Sequence, residues 1–294
     1  MQVFITGGTG LIGSAVVAEL LGAGHTVLAL TRSDISTAAA RNAGAATIRG
    51  GLSDLEAVRT GAAESDGAIH LAFSNDFSSL EALTESISQE TAAITAIGNE
   101  FVGSGRPFAI VSGTPWIPGR ASTEEDPLPI DGPVGGRGRT VTATLTLADR
   151  GVRMSAIRMP RTVHNNGTGG FAGLLTQIAR NTGVSGYPGD GTQRWPAVHA
   201  LDAAVLFRLA LENAPAGSSW HAVADEGDAV RDIADVIANK LNVPVRQMPQ
   251  ESFGALGEVF AMDQPSSSAI TRTGLSWTPT HPSLLDDLDQ NLHA

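Results

Sequence analysis

Val3-Phe4-Ile5-Thr6-Gly7-Gly8-Thr9-Gly10-Leu11-Ile12-Gly13-Ser14 runs an apolar strand through a turn with glycines three apart and into a helix. Gly7 permits the sharp exit from the strand, Gly10 keeps a Cβ out of the path of an approaching phosphate, and Gly13 lets helix and strand pack closely. The amides opening the helix, with its dipole behind them, offer a seat for a diphosphate. A helix over residues 14–21, the turn Gly22-Ala23-Gly24 and a second strand, Thr26-Val27-Leu28-Ala29-Leu30, complete a β-α-β unit. In that setting the spacing reads as a dinucleotide-binding turn.

Which dinucleotide is decided at the end of the second strand. An acidic side chain there reads a ribose 2′-hydroxyl, whereas an arginine accommodates a 2′-phosphate. Here the strand runs out in Thr31-Arg32-Ser33, which favours NADP(H) over NAD(H). The competing reading makes Arg32 a solvated charge and Asp34 the ribose ligand. Asp34, however, stands before Ile35-Ser36-Thr37-Ala38, where Ser33 or Asp34 serves as a helix cap.

The chain has 294 residues, 42% hydrophobic and 17% charged, the balance of a globular protein with a large core. A net charge of −11 disfavours nucleic acid and anionic membranes as partners. With no cysteine, disulfides and thiolate chemistry are excluded, and no histidine pair has metal-ligand spacing, so no metal is expected. The first strand starts at Val3 without room for a leader, and no apolar run approaches the roughly 20 residues of a membrane span. A cytoplasmic monomer or homodimer is expected.

Strand and helix keep alternating, which implies a parallel sheet covered on both faces. Residues 45–49 read as a third strand, 55–60 as a helix capped by Ser53 or Asp54, and 67–73 as a buried fourth strand. Leu80, Leu83, Ile87, Ile94, Ile97 and Phe101 mark one stripe of a long helix. Residues 108–114 and 152–157 read as strands, with residues 123–139, rich in glycine, proline and acids, as a loop between them. Later come helices at 171–180, 201–211 and 228–241, a glycine-rich loop at 187–194 and a strand at 221–224. Residues 1–158 are expected to form the dinucleotide domain and 159–294 mainly a smaller substrate-binding lobe, with segments around 198–226 returning to the first domain.

Thr6-Gly7-Gly8-Thr9-Gly10-Leu11-Ile12-Gly13, His70-Leu71-Ala72, Ser112-Gly113-Thr114, Arg158-Met159-Pro160, Arg194-Trp195-Pro196-Ala197-Val198-His199 with Asp202, and Gly274-Leu275-Ser276-Trp277 span the chain. Together they resemble the extended short-chain dehydrogenase/reductase superfamily of NAD(P)-dependent epimerases, dehydratases and ketone reductases. The resemblance implies a doubly wound parallel sheet of the Rossmann type. It implies that Gly7, Thr9, Gly10, Leu11, Ile12 and Gly13 hold the diphosphate, with Arg32 and Ser33 at the adenosine ribose. Gly51 and Leu52 would border the adenine, Leu71, Ala72 and Phe73 would pass beneath the cofactor, and Pro160, Arg161 and Val163 would flank the nicotinamide. Where the family carries an aspartate, this chain has Gly51.

A larger departure concerns the proton donor, which in the superfamily is the tyrosine of Tyr-x-x-x-Lys. Tyr187 is the single tyrosine and Lys240 the single lysine, and they cannot form that motif. Counting back from Arg158, the two positions fall near Pro133 and Arg137. Arginine stays protonated and cannot relay a proton, though it can hold ribose hydroxyls or a phosphate.

Candidates for the missing acid follow from position. Thr114 corresponds to the family's carbonyl-orienting serine or threonine, and its competing reading is a strand-end cap. Ser112 points to the same face of the strand and either supports the acceptor or satisfies local backbone. His164 offers an imidazole, a group whose unperturbed pKa of about 6.5 suits donation near neutrality, against the reading of a water-exposed loop histidine. His70 reads as a hydrogen-bonded core residue, and His199 with Asp202 as structural. Phe73, Trp116, His164 and Trp195 are expected to converge on a hydrophobic substrate pocket. The leading expectation is an NADPH-dependent reductase of a hydrophobic ketone, aldehyde or imine. Its rivals are a non-catalytic NADP(H) sensor and a sugar-nucleotide epimerase or dehydratase.

Overall fold

A computed structural model describes residues 1–74, 79–132 and 135–293. The first half alternates β1 (Gln2–Thr6), α1 (Leu11–Gly22), β2 (Thr26–Thr31), α2 (Asp34–Asn42), β3 (Ala46–Arg49), α3 (Leu55–Ala63), β4 (Gly67–His70), α4 (Leu80–Phe101), β5 (Pro107–Gly113), α5 (Gly135–Leu145) and β6 (Arg153–Met159). The second half supplies β7 (Thr162–His164), α6 (Gly170–Thr182), β8 (Ser185–Pro188), β9 (Arg194–His199), α7 (Ala200–Asn213) and β10 (Ser218–His221). It ends with β11 (Asp225–Ala229), α8 (Val230–Leu241), β12 (Val245–Met248), α9 (Gly257–Phe260), α10 (Ala269–Gly274) and α11 (Leu284–Asn291).

Seven strands pair in the order β10-β6-β5-β4-β1-β2-β3, all parallel. Side-chain alternation along a strand divides the apolar residues between two faces. Val3 and Ile5 meet Val16, Leu20, Leu206 and Phe207 on one face, while Phe4, Phe108 and Ile110 meet Ile94, Ile97 and Phe101 on the other. The second lobe holds a β11-β9-β7 sheet and a β12-β8 pair around a core that includes Trp195, Ile233, Phe253 and Phe260. No helix of the described residues is long and apolar enough to cross a membrane.

Several boundaries differ from the sequence reading, each for a physical reason. The first helix begins at Leu11, because Gly10 acts as its N-cap. The fourth strand stops at His70; the backbone then leaves the sheet after one bond from Leu71 N to the carbonyl of Thr6. Leu80, placed in the buried stripe of α4, is 68% exposed at the first turn of that helix. The strand expected at 221–224 ends at His221, and the helix expected from 228 starts at Val230, after β11. Residues 185–188, partly assigned to a loop, pair with β12.

The expected loop 123–139 contains the start of α5. Its glycine-rich opening is a packing surface: a Cβ on Gly135 would come within 2.5 Å of Ile130 backbone, and one on Gly138 within 2.0 Å of the Pro129 carbonyl. The helix tolerates its low intrinsic propensity because those glycines let the preceding segment lie directly on it.

Candidate active site

Gly7 has φ +75°, and a Cβ there would stand 2.8 Å from the amide of Ala72. A Cβ on Gly13 would stand 2.0 Å from the carbonyl oxygen of Gly7. The turn and the start of α1 are thus pressed into contact, and no side chain caps the helix. Its first-turn amides remain available to an anion. In front of them lies a groove of about 480 Å³.

Gly7, Thr9, Gly10, Arg32, Gly51, Leu52, Leu71, Ala72 and Phe73 line this groove, joined by Leu30, Ser36, Gly50, Ser53, Ser74 and Gln89, which the sequence reading did not single out. Leu11 is exposed beside it, Ile12 packs against the core, and Gly13 is buried. At the far end stand Arg32, Ser36 and Ser53, with no carboxylate among the described lining residues. Asp34 is turned to Arg49, 2.8 Å away, and Ser33 spends its hydroxyl on the N-cap of α2 in a capping box with Ser36.

At the opposite end, Arg137 from α5 lies 4.3 Å over the ring of Phe73. Its Nε and Nη2 donate to the two carboxylate oxygens of the buried Glu90 at 2.8 and 2.7 Å. His70 is buried and bonded to the Thr6 hydroxyl at 2.9 Å. Burial, assisted by the charge of Arg137, lowers its pKa to about 3. Pro133, the inferred tyrosine position, lies outside the described residues. Tyr187 lies in β8 and Lys240 in α8.

Beyond Phe73, the strand ends meet a segment of the second lobe. Ser112 and Thr114 are both largely buried, and the amide of Thr114 donates to the carbonyl of Met159. Gln264 donates to the Thr114 carbonyl at 2.8 Å and approaches its hydroxyl at 3.5 Å. Trp116, 45% exposed, donates its indole N–H to the carbonyl of Asp263. Arg161, expected to flank the nicotinamide, does not line the groove; it donates instead to the carbonyl of Val259 at 2.9 Å. Residues 259–264 thus roof the edge carrying Thr114; nothing local in the sequence signals these contacts.

Two members of the expected pocket are elsewhere. Trp195 is wholly buried in the second-lobe core, edge-on to Phe171 and Phe260, because the β9 alternation turns it inward. His164 is neither water-exposed nor beside the acceptor. As the last residue of β7 it is buried against α11, with Nδ1 2.8 Å from Asp287 and the ring edge-on to His199. Ligand atoms of His164, His199 and Asp287 lie within 4.8 Å of one another, a grouping that sequence spacing does not reveal. His199 Nδ1 already accepts the amide of Leu201, and Asp287 also accepts from Gly167 and Asn291. Asp202 fastens the C-terminal segment by accepting the amides of Thr280 and His281. Pro160 and Val163, expected to flank the nicotinamide, are buried and do not line the groove.

Other polar residues stand at this sheet edge. Arg158 pairs in register with Ser112 on one side and His221 on the other, and donates to the carbonyls of Glu124 and Asp126. Burial lowers the pKa of His221 to about 4 despite the nearby Glu124. A second cleft, about 430 Å³, is lined by residues that include Asp190, Arg194 and Asp263, the last two paired at 2.9 Å.

Comparisons with known proteins agree with this architecture. Residues 3–127 match the NAD dependent epimerase/dehydratase family. An uncharacterised protein of Schizosaccharomyces pombe is 42% identical over 294 residues, covering 98% of each chain, and one of Saccharomyces cerevisiae is 41% identical over 298 residues, covering 99% of each. Among solved structures, UDP-glucose 4-epimerase of Thermotoga maritima has a TM-score of 0.81 at 19% identity, covering 99% of this chain and 97% of that one. The dTDP-glucose 4,6-dehydratase DesIV of Streptomyces venezuelae, solved with NAD, has a TM-score of 0.78 at 18% identity, covering 99% and 95%. Glycine turn, parallel sheet and full-length likeness lead to one conclusion: the chain belongs to the NAD-dependent epimerase/dehydratase family of enzymes.

Proposed function

We propose that the chain is an NADP(H)-dependent oxidoreductase that reduces a carbonyl or imine group held between the sheet edge and residues 259–264. The adenosine end of the groove carries this reading. Arg32 stands there with Ser36 and Ser53 and without a carboxylate among the described lining residues, the pattern suited to a 2′-phosphate. An exposed cation at that rim is selective in a chain whose net charge is −11. The uncapped start of α1 and the bare Gly7–Gly10 turn suit the diphosphate.

When bound, the nicotinamide supplies hydride. The chain's part is to orient the acceptor and exclude water. The Thr114 hydroxyl donates to the acceptor oxygen, and Phe73 and Trp116 offer it apolar faces. Arg137, locked by Glu90, favours negative charge without giving up a proton. The proton comes from water. Loss of NADPH absorbance on a panel of ketones, aldehydes and imines tests the reading; tight NADPH binding with no turnover on any of them defeats it.

That negative outcome would support a second reading, a dinucleotide sensor, which is favoured by the position of the single tyrosine in β8. A third, sugar-nucleotide conversion, draws on Arg194 in the second cleft and on the UDP-glucose bound by the Thermotoga epimerase. Product analysis with UDP-glucose and NAD(P) tests it.

A further inference from the structure

We propose that Arg161 is the receptor for an oxyanion, a carboxylate or a phosphate, carried by the acceptor molecule itself; this rests on the reading of the site as a dinucleotide-dependent reductase. Arg161 follows β6 at the sheet edge, two residues after Met159, whose carbonyl takes the amide of Thr114. Its Nη1 donates to Val259, in the same segment that holds Trp116 and Thr114 through Asp263 and Gln264. The guanidinium is thus tied to the same short segment that holds the strand end carrying Thr114. Arg161 as a residue is partly exposed, which leaves a ligand a way in.

What sets Arg161 apart from the other enclosed arginines is that it has neither a counter-charge nor more than one hydrogen-bond acceptor. A guanidinium has five N–H donors, and this one spends a single bond on a neutral carbonyl. Its Nε is buried without a partner, its face lies 5.2 Å over Phe171, and among the described residues no carboxylate comes within ion-pair distance. Burial pulls its pKa down to about 10, with no neighbouring charge opposing the shift.

The other enclosed arginines are better provided for. Arg137 has Glu90 in a two-pronged pair; Arg158 has two carbonyls with Glu124 and Asp126 nearby; Arg153 has the carbonyls of Leu211 and Ala214 at the negative end of α7. A desolvated cation without compensation is unfavourable unless an anion arrives from outside. Among the described residues, no acidic side chain pairs with Arg161. The diphosphate seat lies elsewhere, at Gly7–Gly10, and Arg161 does not line that groove. A carboxylate or phosphate matches the planar fork of a guanidinium, so the acceptor class becomes a 2-oxo acid or a phosphate-bearing carbonyl compound.

The test is calorimetric binding to the NADP⁺-loaded full chain of benzoylformate, its neutral methyl ester and UDP-glucose, after a separate fluorescence titration with NADPH. At least one anionic probe is expected to bind about tenfold or more tighter than the ester, R161Q is expected to abolish that margin, and its NADPH affinity is expected to stay within about twofold. Preference for benzoylformate identifies a carboxylate acceptor, and preference for UDP-glucose a phosphate. The proposal is overturned if the ester binds as tightly as both anions, if R161Q keeps the margin, or if R161Q loses NADPH affinity by the same factor. Failure of the wild-type chain to bind NADPH defeats the functional reading and is seen in the first titration. R161M, which removes the uncompensated charge, is expected to melt at or above the wild-type temperature; a large drop would show that the cation is compensated within the fold and would overturn the proposal.

Discussion

The side-chain amide of Gln264 donates to the carbonyl of Thr114 at 2.8 Å, so a residue of the second lobe fixes the strand end that carries the Thr114 hydroxyl. Replacing Thr114 with valine is expected to lower kcat at least about tenfold, as loss of a positioned donor does, with NADPH affinity unchanged. Unchanged turnover would remove Thr114 from the mechanism. Q264L keeps the hydroxyl but frees the strand end, and is expected to raise KM for the acceptor while leaving dinucleotide binding intact.

Arg32 is exposed on the groove rim and in no ion pair among the described residues, in contrast to Arg49 with Asp34. R32A is expected to weaken NADPH by about ten- to a hundredfold, the worth of a charged hydrogen bond or two, and NADH by far less. Equal losses in paired fluorescence titrations would refute the phosphate role.

Gly13 and Gly22 lie in the same helix with opposite surroundings. A Cβ on Gly13 meets the carbonyl of Gly7 at 2.0 Å, whereas one on Gly22 meets nothing within 4 Å. G13A is expected to cost about 1–3 kcal/mol of stability through overpacking and to weaken NADPH binding by displacing the turn. G22A is expected to gain up to about 1 kcal/mol from helix propensity. Urea unfolding of the two variants, with NADPH titration of G13A, checks both signs.

His70 and His221 stay neutral in the folded chain, at about 3 and about 4 against 6.5 in the unfolded state. Below pH 6.5 the unfolded chain takes up protons that the folded chain refuses. Stability therefore falls as pH drops from about 6.5 to 4, by about 2 kcal/mol per histidine at pH 5. Asp228 acts in the opposite sense: burial and the nearby carboxylates of Asp225, Asp232 and Asp286 raise it from 3.8 to about 6, so it destabilises the fold as pH rises through that window. D228N is expected to raise the melting temperature at pH 7, leave it unchanged at pH 4, and steepen the acid limb. A melting-temperature gain that persists at pH 4 would contradict the assignment.

The glycine turn, the β-α-β unit and the caps at Ser33 and Asp54 were legible because each depends on residues within a few positions of one another. The edges of that legibility are nonlocal. The inward direction of His164 follows from three residues of β7 pairing with β9, and its partner Asp287 lies 123 positions away. Trp195 follows the same rule, since alternation says that it is sided but not toward which neighbour. The helical start of α5 depends on residues 128–130 lying against its glycines. Contacts of Val259, Asp263 and Gln264 with the sheet edge belong to side chains and carbonyls brought together only by folding.

β10 is contributed by residues 218–221, yet it completes the edge of the sheet begun by β1, alongside β6. The polypeptide thus crosses between lobes more than once, and neither lobe can be excised or exchanged as a cassette without tearing out a structural member of the other. Residues 257–264 touch the sheet edge through a few side chains and carbonyls, so a chimera that grafts that short stretch alone is the construction this topology permits.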